Sequence, residues 1–85
     1  MSTNIKLVEI VEDAIEGKKT AKGEDVKLEE YDWHNVREIG YAVHDGKIET
    51  TEEVIEKLEK IEHLKEGLRK DFRDIEKEVK KVLKA

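Results

Sequence analysis

The stretch TEEVIEKLEKIEHLKEGLRKDFRDIEKEVKKVLKA, Thr51 to Ala85, decides how the chain is read. Val54, Ile61, Leu68, Ile75 and Val82 recur every seventh residue, and Leu58, Phe72 and Val79 occupy the positions four further on, with Lys65 the one charged member of that second set. No proline interrupts the pattern. Apolar residues at this spacing form one stripe along an α-helix and match the seam of a coiled coil. At about 1.5 Å per residue a continuous helix would run on the order of 50 Å, well past the roughly 30 Å of a small domain. The overhanging seam then needs a second copy of the chain, so the pattern predicts a homodimer joined through Leu58, Ile61, Lys65, Leu68, Phe72, Ile75, Val79 and Val82. A lone polar residue in such a seam specifies register or oligomer state, which is the role expected for Lys65.

Both ends of the stretch carry helix signals. Thr50 with Glu53 three residues later is a capping-box pattern, in which the hydroxyl accepts from the first turn and the carboxylate reaches back to the capping residue. Glu52, Glu53 and Glu56 crowd the positive N-terminus, while Lys80, Lys81 and Lys84 crowd the negative C-terminus, so both match the helix dipole. Gly67 is the one blemish, costing about 1 kcal/mol against alanine.

Upstream, Leu7, Val8, Val11, Ala14 and Ile15 fall on one stripe between Ile5 and Glu16, with Ser2 or Asn4 as a cap and Gly17, Lys18 and Lys19 at the end. This predicts a first helix, against a strand reading supported by the alternation of Ile5, Leu7 and Val11. Lys18 to Glu24 reads as a loop, and Asp25 to Glu30, with Val26 and Leu28 two apart, as a short extended segment. Asp32 then stands where an N-cap belongs, and Trp33, Val36, Ile39, Gly40 and Val43 follow at spacings of three and four until Gly46 closes a second helix. The rival is a β-hairpin over 39–50, because Asp45-Gly46 between alternating apolar residues is a strong hairpin signal. The expected fold is therefore mainly α, with a helical part over 1–50 packed on a long helix over 51–85, in one domain, and α+β with a hairpin at 39–50 as the alternative.

Composition narrows the chemistry. In 85 residues, 46% are charged, 5% are aromatic and none is cysteine, so the core is thin and neither disulfides nor thiolate metal sites are available. Chains this short often lean on a second subunit. No basic-then-apolar leader follows Met1 and no run of about 18 apolar residues exists, so a cytoplasmic protein with no membrane segment is expected. The net charge of −5 is unevenly spread: residues 24–62 hold 13 acidic and 5 basic side chains, or −8, whereas 63–85 hold 5 acidic and 8 basic, or +3.

Catalytic patterns are missing. His34, His44 and His63 do not pair at a helical spacing, the only serine is Ser2, and there is neither a glycine-rich phosphate loop nor a calcium-loop spacing of aspartates. No enzyme activity, cofactor or metal is expected. Tyr31, Trp33 and Tyr41 are three of the four aromatics and lie within or beside the acidic block. They read as core, or as interface anchors in a negative surround. The pattern favours a binding protein whose negative face, Glu29, Glu30, Tyr31, Asp32, Trp33, Glu49, Glu52, Glu53 and Glu56, engages a basic protein partner. A nucleic-acid-binding protein fits that role, its phosphate site being blocked by imitation of phosphate charge. The alternatives are a dimerisation scaffold, whose charges only keep it soluble, and direct nucleic-acid binding through the lysine-rich tail, which its interleaved acids disfavour.

Overall fold

The stretch over 51–85 does not form one helix. In the computed structural model, which describes residues 6–84, it divides into α3 (Thr51–Leu58), α4 (Glu62–Leu68) and α5 (Arg73–Lys84), preceded by α1 (Leu7–Ile15) and α2 (Glu30–His44). The first break follows Leu58, where Glu59 and Lys60 make a turn and Ile61 adopts extended backbone at φ −85°, ψ 102°. No glycine or proline marks it. The second follows Leu68, where Arg69 (φ 53°) and Lys70 (φ 66°) are both left-handed and Lys70 N–H reaches back to the Lys65 carbonyl at 3.1 Å. Asp71 then accepts the N–H of Arg73 at 3.3 Å at the start of α5.

The reason for the division is burial. Helices of eight, seven and twelve residues have little stability of their own in water, so each persists by packing an apolar face. Val54 and Leu58 supply that face on α3, Ile61, Leu64 and Leu68 on and before α4, and Phe72, Ile75 and Val79 before and along α5; all are buried. Folding back lets one chain cover its own seam. Helix α5 packs against α1 and α3, and α2 packs against α1 and α3. Spacings of three and four therefore survive inside each helix, while the continuous heptad frame is broken at the turns.

This corrects the expected long helix and removes the ground on which a dimer was expected. Leu58, Ile61, Leu68, Phe72, Ile75 and Val79 are buried within the single chain, and Lys65 and Val82 are half-buried. Among the described residues no member of the seam is left mainly in water.

The first half follows the sequence more closely. Helix α1 is present, one turn shorter than expected, with Lys6 at its N-cap and Gly17 at φ 79° after its end. Ile5 and the expected caps Ser2 and Asn4 lie outside the described residues. The extended segment forms a single antiparallel bridge, Lys19 with Asp25, and no strand occurs among the described residues. Helix α2 runs through the stretch that rivalled it as a hairpin. Asp45 follows as the C-cap, Gly46 is left-handed at φ 79°, and Lys47 N–H closes on the Ala42 carbonyl at 2.8 Å, so Asp45-Gly46 ends a helix instead of turning a hairpin. The helix begins at Glu30 with Glu29 as its N-cap, not at Asp32.

Candidate partner-binding surface

Helix α2 separates its residues into two faces. Val36, Ile39 and Gly40 are buried, whereas Tyr31, His34, Glu38, Tyr41 and Asp45, spaced by three and four, are all exposed. Such spacing places them in one row along the outer side of the helix. Tyr31 is 70% and Tyr41 58% exposed, the two large hydrophobic side chains that the described structure leaves mainly in water. Ten residues apart, they are separated by about 15 Å along the axis. The aromatics thus divide between roles: Tyr31 and Tyr41 face solvent, Phe72 is core, and Trp33 is half-buried on the flank of α2 that faces α1.

The acidic residues expected to share a face are distributed by the fold. Glu29 and Glu30 stand exposed at the start of α2, with Glu30 3.8 Å from Arg37 on the same helix. Glu49 is exposed in the link after α2, and Glu52, Glu53 and Glu56 are exposed on α3, which packs against α2. Glu53 serves partly as a cap, its N–H donating to the Thr50 hydroxyl at 3.2 Å. Glu52, Glu56 and Glu59 line a shallow groove between α3 and α5 together with Glu76 and Lys80, and Lys80 is 3.3 Å from Glu76. In the chain these carboxylates form two exposed groups, one at the start of α2 and one on and before α3.

Asp32 belongs to neither. It is buried, accepts the Glu29 N–H at 2.9 Å, and is bound by His63 Nδ1 at 2.8 Å from the start of α4. Burial pushes the Asp32 carboxyl up, but the hydrogen bond from His63, the backbone N–H of Glu29 and the imidazole charge together hold it below the usual carboxylate range. The same hydrogen bond and the Asp32 charge raise His63, with Glu29 and Glu66 adding to the effect. The pair ties α2 to α4 across 31 residues of sequence, a role that no spacing within either segment signals. Asp32 is therefore a structural residue and not part of the exposed surface.

Among the described residues, Arg73, Lys80 and Lys81 of the basic tail are paired with its own acids. Arg73 binds both carboxylate oxygens of Asp71, at 3.0 and 3.1 Å, and its guanidinium holds the Asp71 carboxyl down to about 2. Lys81 is 3.2 Å from Glu78, and Lys80 is paired as described. Arg69 and Lys70 leave the helix for the left-handed link. The lysine-rich row expected along one helix is thereby interrupted.

Tyr41, which the sequence left between core and exposed anchor, stands with Tyr31 on the outer row. One feature escaped sequence reading. Glu12, Asp13 and Glu16 join Trp33 around a groove between α1 and the extended segment, which only the packing of α1 on α2 could reveal. Among the described residues no helix is long and apolar enough to cross a membrane, and no group of three His, Asp or Glu side chains is placed to hold a metal ion. Comparison with protein-family models, curated proteins and solved structures finds no match to this chain.

Proposed function

We propose that the protein is a non-enzymatic binding protein that engages a cationic surface of a protein partner through the outer side of α2. What carries the reading is the pair of tyrosines, 70% and 58% exposed, in a chain that otherwise buries or half-buries its large apolar side chains among the described residues. Tyrosine is a favoured interface anchor because its ring covers apolar area while its hydroxyl stays hydrated, and such residues contribute disproportionately to binding. Around them stand Glu29, Glu30, Glu38 and Asp45, opposed chiefly by Arg37. Carboxylates at the rim steer a basic partner and reject acidic ones. A nucleic-acid-binding protein offers such a surface, and occupation of it would exclude phosphate.

Affinity capture from lysate on immobilised protein tests this. A basic protein should be retained at about 0.05 M salt and released at about 0.5 M, where screening acts within a few Å. Duplex DNA added as competitor should displace it. The double variant Tyr31→Ser/Tyr41→Ser, with unchanged helical circular dichroism, should lose retention. Capture insensitive to both salt and the tyrosine variant overturns the proposal.

A further inference from the structure

Beside the tyrosine row, α1, the extended segment and the first turn of α2 enclose an open groove of about 850 Å³. Its apolar lining is Ile15, Val26, Leu28 and Trp33; Ile15 is buried, while the other three pack on the core and are only half-buried. Glu12, Asp13 and Glu16 stand along the α1 wall, exposed and, among the described residues, without an ion-pair partner. The rest of the lining carries Lys18, Lys27 and Asp25, and Asp25 is occupied by Lys19. Negative charge is thus available on one wall, next to an indole.

We propose that this groove receives an extended basic segment of the partner, with an apolar side chain against Trp33 and flanking arginine or lysine side chains on Glu12, Asp13 and Glu16. The inference rests on the binding role proposed above and adds where the partner's chain lies and what it is made of. The Trp33 ring offers apolar area to that central side chain, and the hydrocarbon stems of arginine or lysine can lie along Val26 and Leu28 while their charges reach the carboxylates. The extended segment itself favours an extended occupant. Val26 N–H donates to the Lys18 carbonyl at 3.2 Å, but the backbone of Lys27 and Leu28 has no backbone partner among the described residues, leaving an edge along which a strand can add.

Trp33 is the only tryptophan of the chain, so its emission reports on this groove directly. The probe is a short synthetic peptide with arginines on both sides of a central leucine, titrated at low salt. Saturable change in Trp33 emission is expected, together with about tenfold weaker binding to Glu12→Lys/Glu16→Lys. The control Glu76→Lys/Glu78→Lys changes net charge equally and should move affinity less than about twofold. Should lysines at 12 and 16 unsettle α1, as seen by circular dichroism, Glu12→Gln/Glu16→Gln gives the same comparison with a smaller loss. Equal weakening by groove and control variants overturns the proposal, as does an equal response to a peptide with glutamates in place of the arginines. If the peptide leaves Trp33 emission unmoved while the tyrosine double variant abolishes partner capture, the groove assignment falls and the binding role stands. If Trp33 responds specifically but no cationic protein is retained, the groove stands and the wider role falls.

Discussion

At the scale of single residues, two side chains perform structural work that their neighbours in sequence do not announce. Asp32 and His63 stabilise the fold most when one is charged negatively and the other positively, because the ion pair then adds to the hydrogen bond. The folded-state pKa of His63 is raised, so its contribution is complete below the unfolded value of about 6.5 and is lost as pH rises through the raised value. That of Asp32 is lowered, so its contribution is present above about 3.9 and is lost as pH falls through the lowered value. Thermal melts should therefore show higher stability at about pH 5.5 than at about pH 8.5. His63→Gln should remove most of that difference, and a variant retaining it would show that another group is responsible. Gly67 is the second case. A Cβ there would stand 2.6 Å from Cγ1 of Val26, a stiff β-branched side chain, so α4 and the extended segment approach closely only because the residue is glycine. Gly67→Ala gains about 1 kcal/mol of helix propensity but incurs an overpacking cost of about 1–3 kcal/mol, and denaturant melts should show a net loss. In a Val26→Ala background the same change should stabilise. An equal cost in both backgrounds would exclude the close approach as the cause.

At the scale of elements, the division of the C-terminal stretch can be tested by the sign of a stability change. Arg69 and Lys70 hold left-handed backbone, which costs an L-residue about 1–2 kcal/mol and costs glycine almost nothing. Lys70→Gly should therefore leave the protein as stable as the wild type or raise it by up to about 1 kcal/mol, once the extra freedom of unfolded glycine is counted. In a continuous helix the same substitution would cost about 1 kcal/mol, so denaturant midpoints distinguish the two. The break after Leu58 has another origin. Glu59, Lys60 and Ile61 have no intrinsic preference for leaving a helix, and the turn is stable because it brings Ile61 and Leu64 into the shared core. Helix α2 shows the reverse situation: Gly46 ends it in the conformation its lack of a side chain favours, and the local signal and the final structure agree.

At the scale of the whole molecule, the apolar residues of all five helices meet in one cluster, from Leu7 and Val11 on α1 to Ile75 and Val79 on α5. Loss of any large member should unfold everything together. Phe72→Ala is expected to cost about 3–5 kcal/mol and Val79→Asp to abolish folding, with helical circular dichroism and Trp33 emission lost in a single transition. Persistence of a folded domain with only α5 melted would show that the C-terminal helix is an appendage. The charges are arranged with the same economy. Exposed acidic groups stand at the start of α2, on α3 and on α1 around Trp33, whereas several tail cations are engaged by Asp71, Glu76 and Glu78. The surface proposed above for a partner lies on the side of α1 and α2.

Helicity, the caps at Thr50 and Gly46, the amphipathic faces and the excess of acid over base were legible in the sequence, because each depends on residues within a few positions of one another. The same three- and four-residue spacing, however, fits both a long helix paired with a second chain and three short helices folded on themselves. Local propensity at Glu59 to Ile61 does not distinguish them. Tertiary structure decided that question by burying Ile61, Leu68, Phe72, Ile75 and Val79 within one chain. It also decided the surroundings of the polar residues: Asp32 was paired with His63, and Glu12, Asp13 and Glu16 were brought beside Trp33 by the packing of α1 on α2. The physical reason is common to all of these outcomes. Burial and pairing are properties of residues that meet in space, and in a chain so rich in short amphipathic segments many meetings satisfy the local pattern equally well.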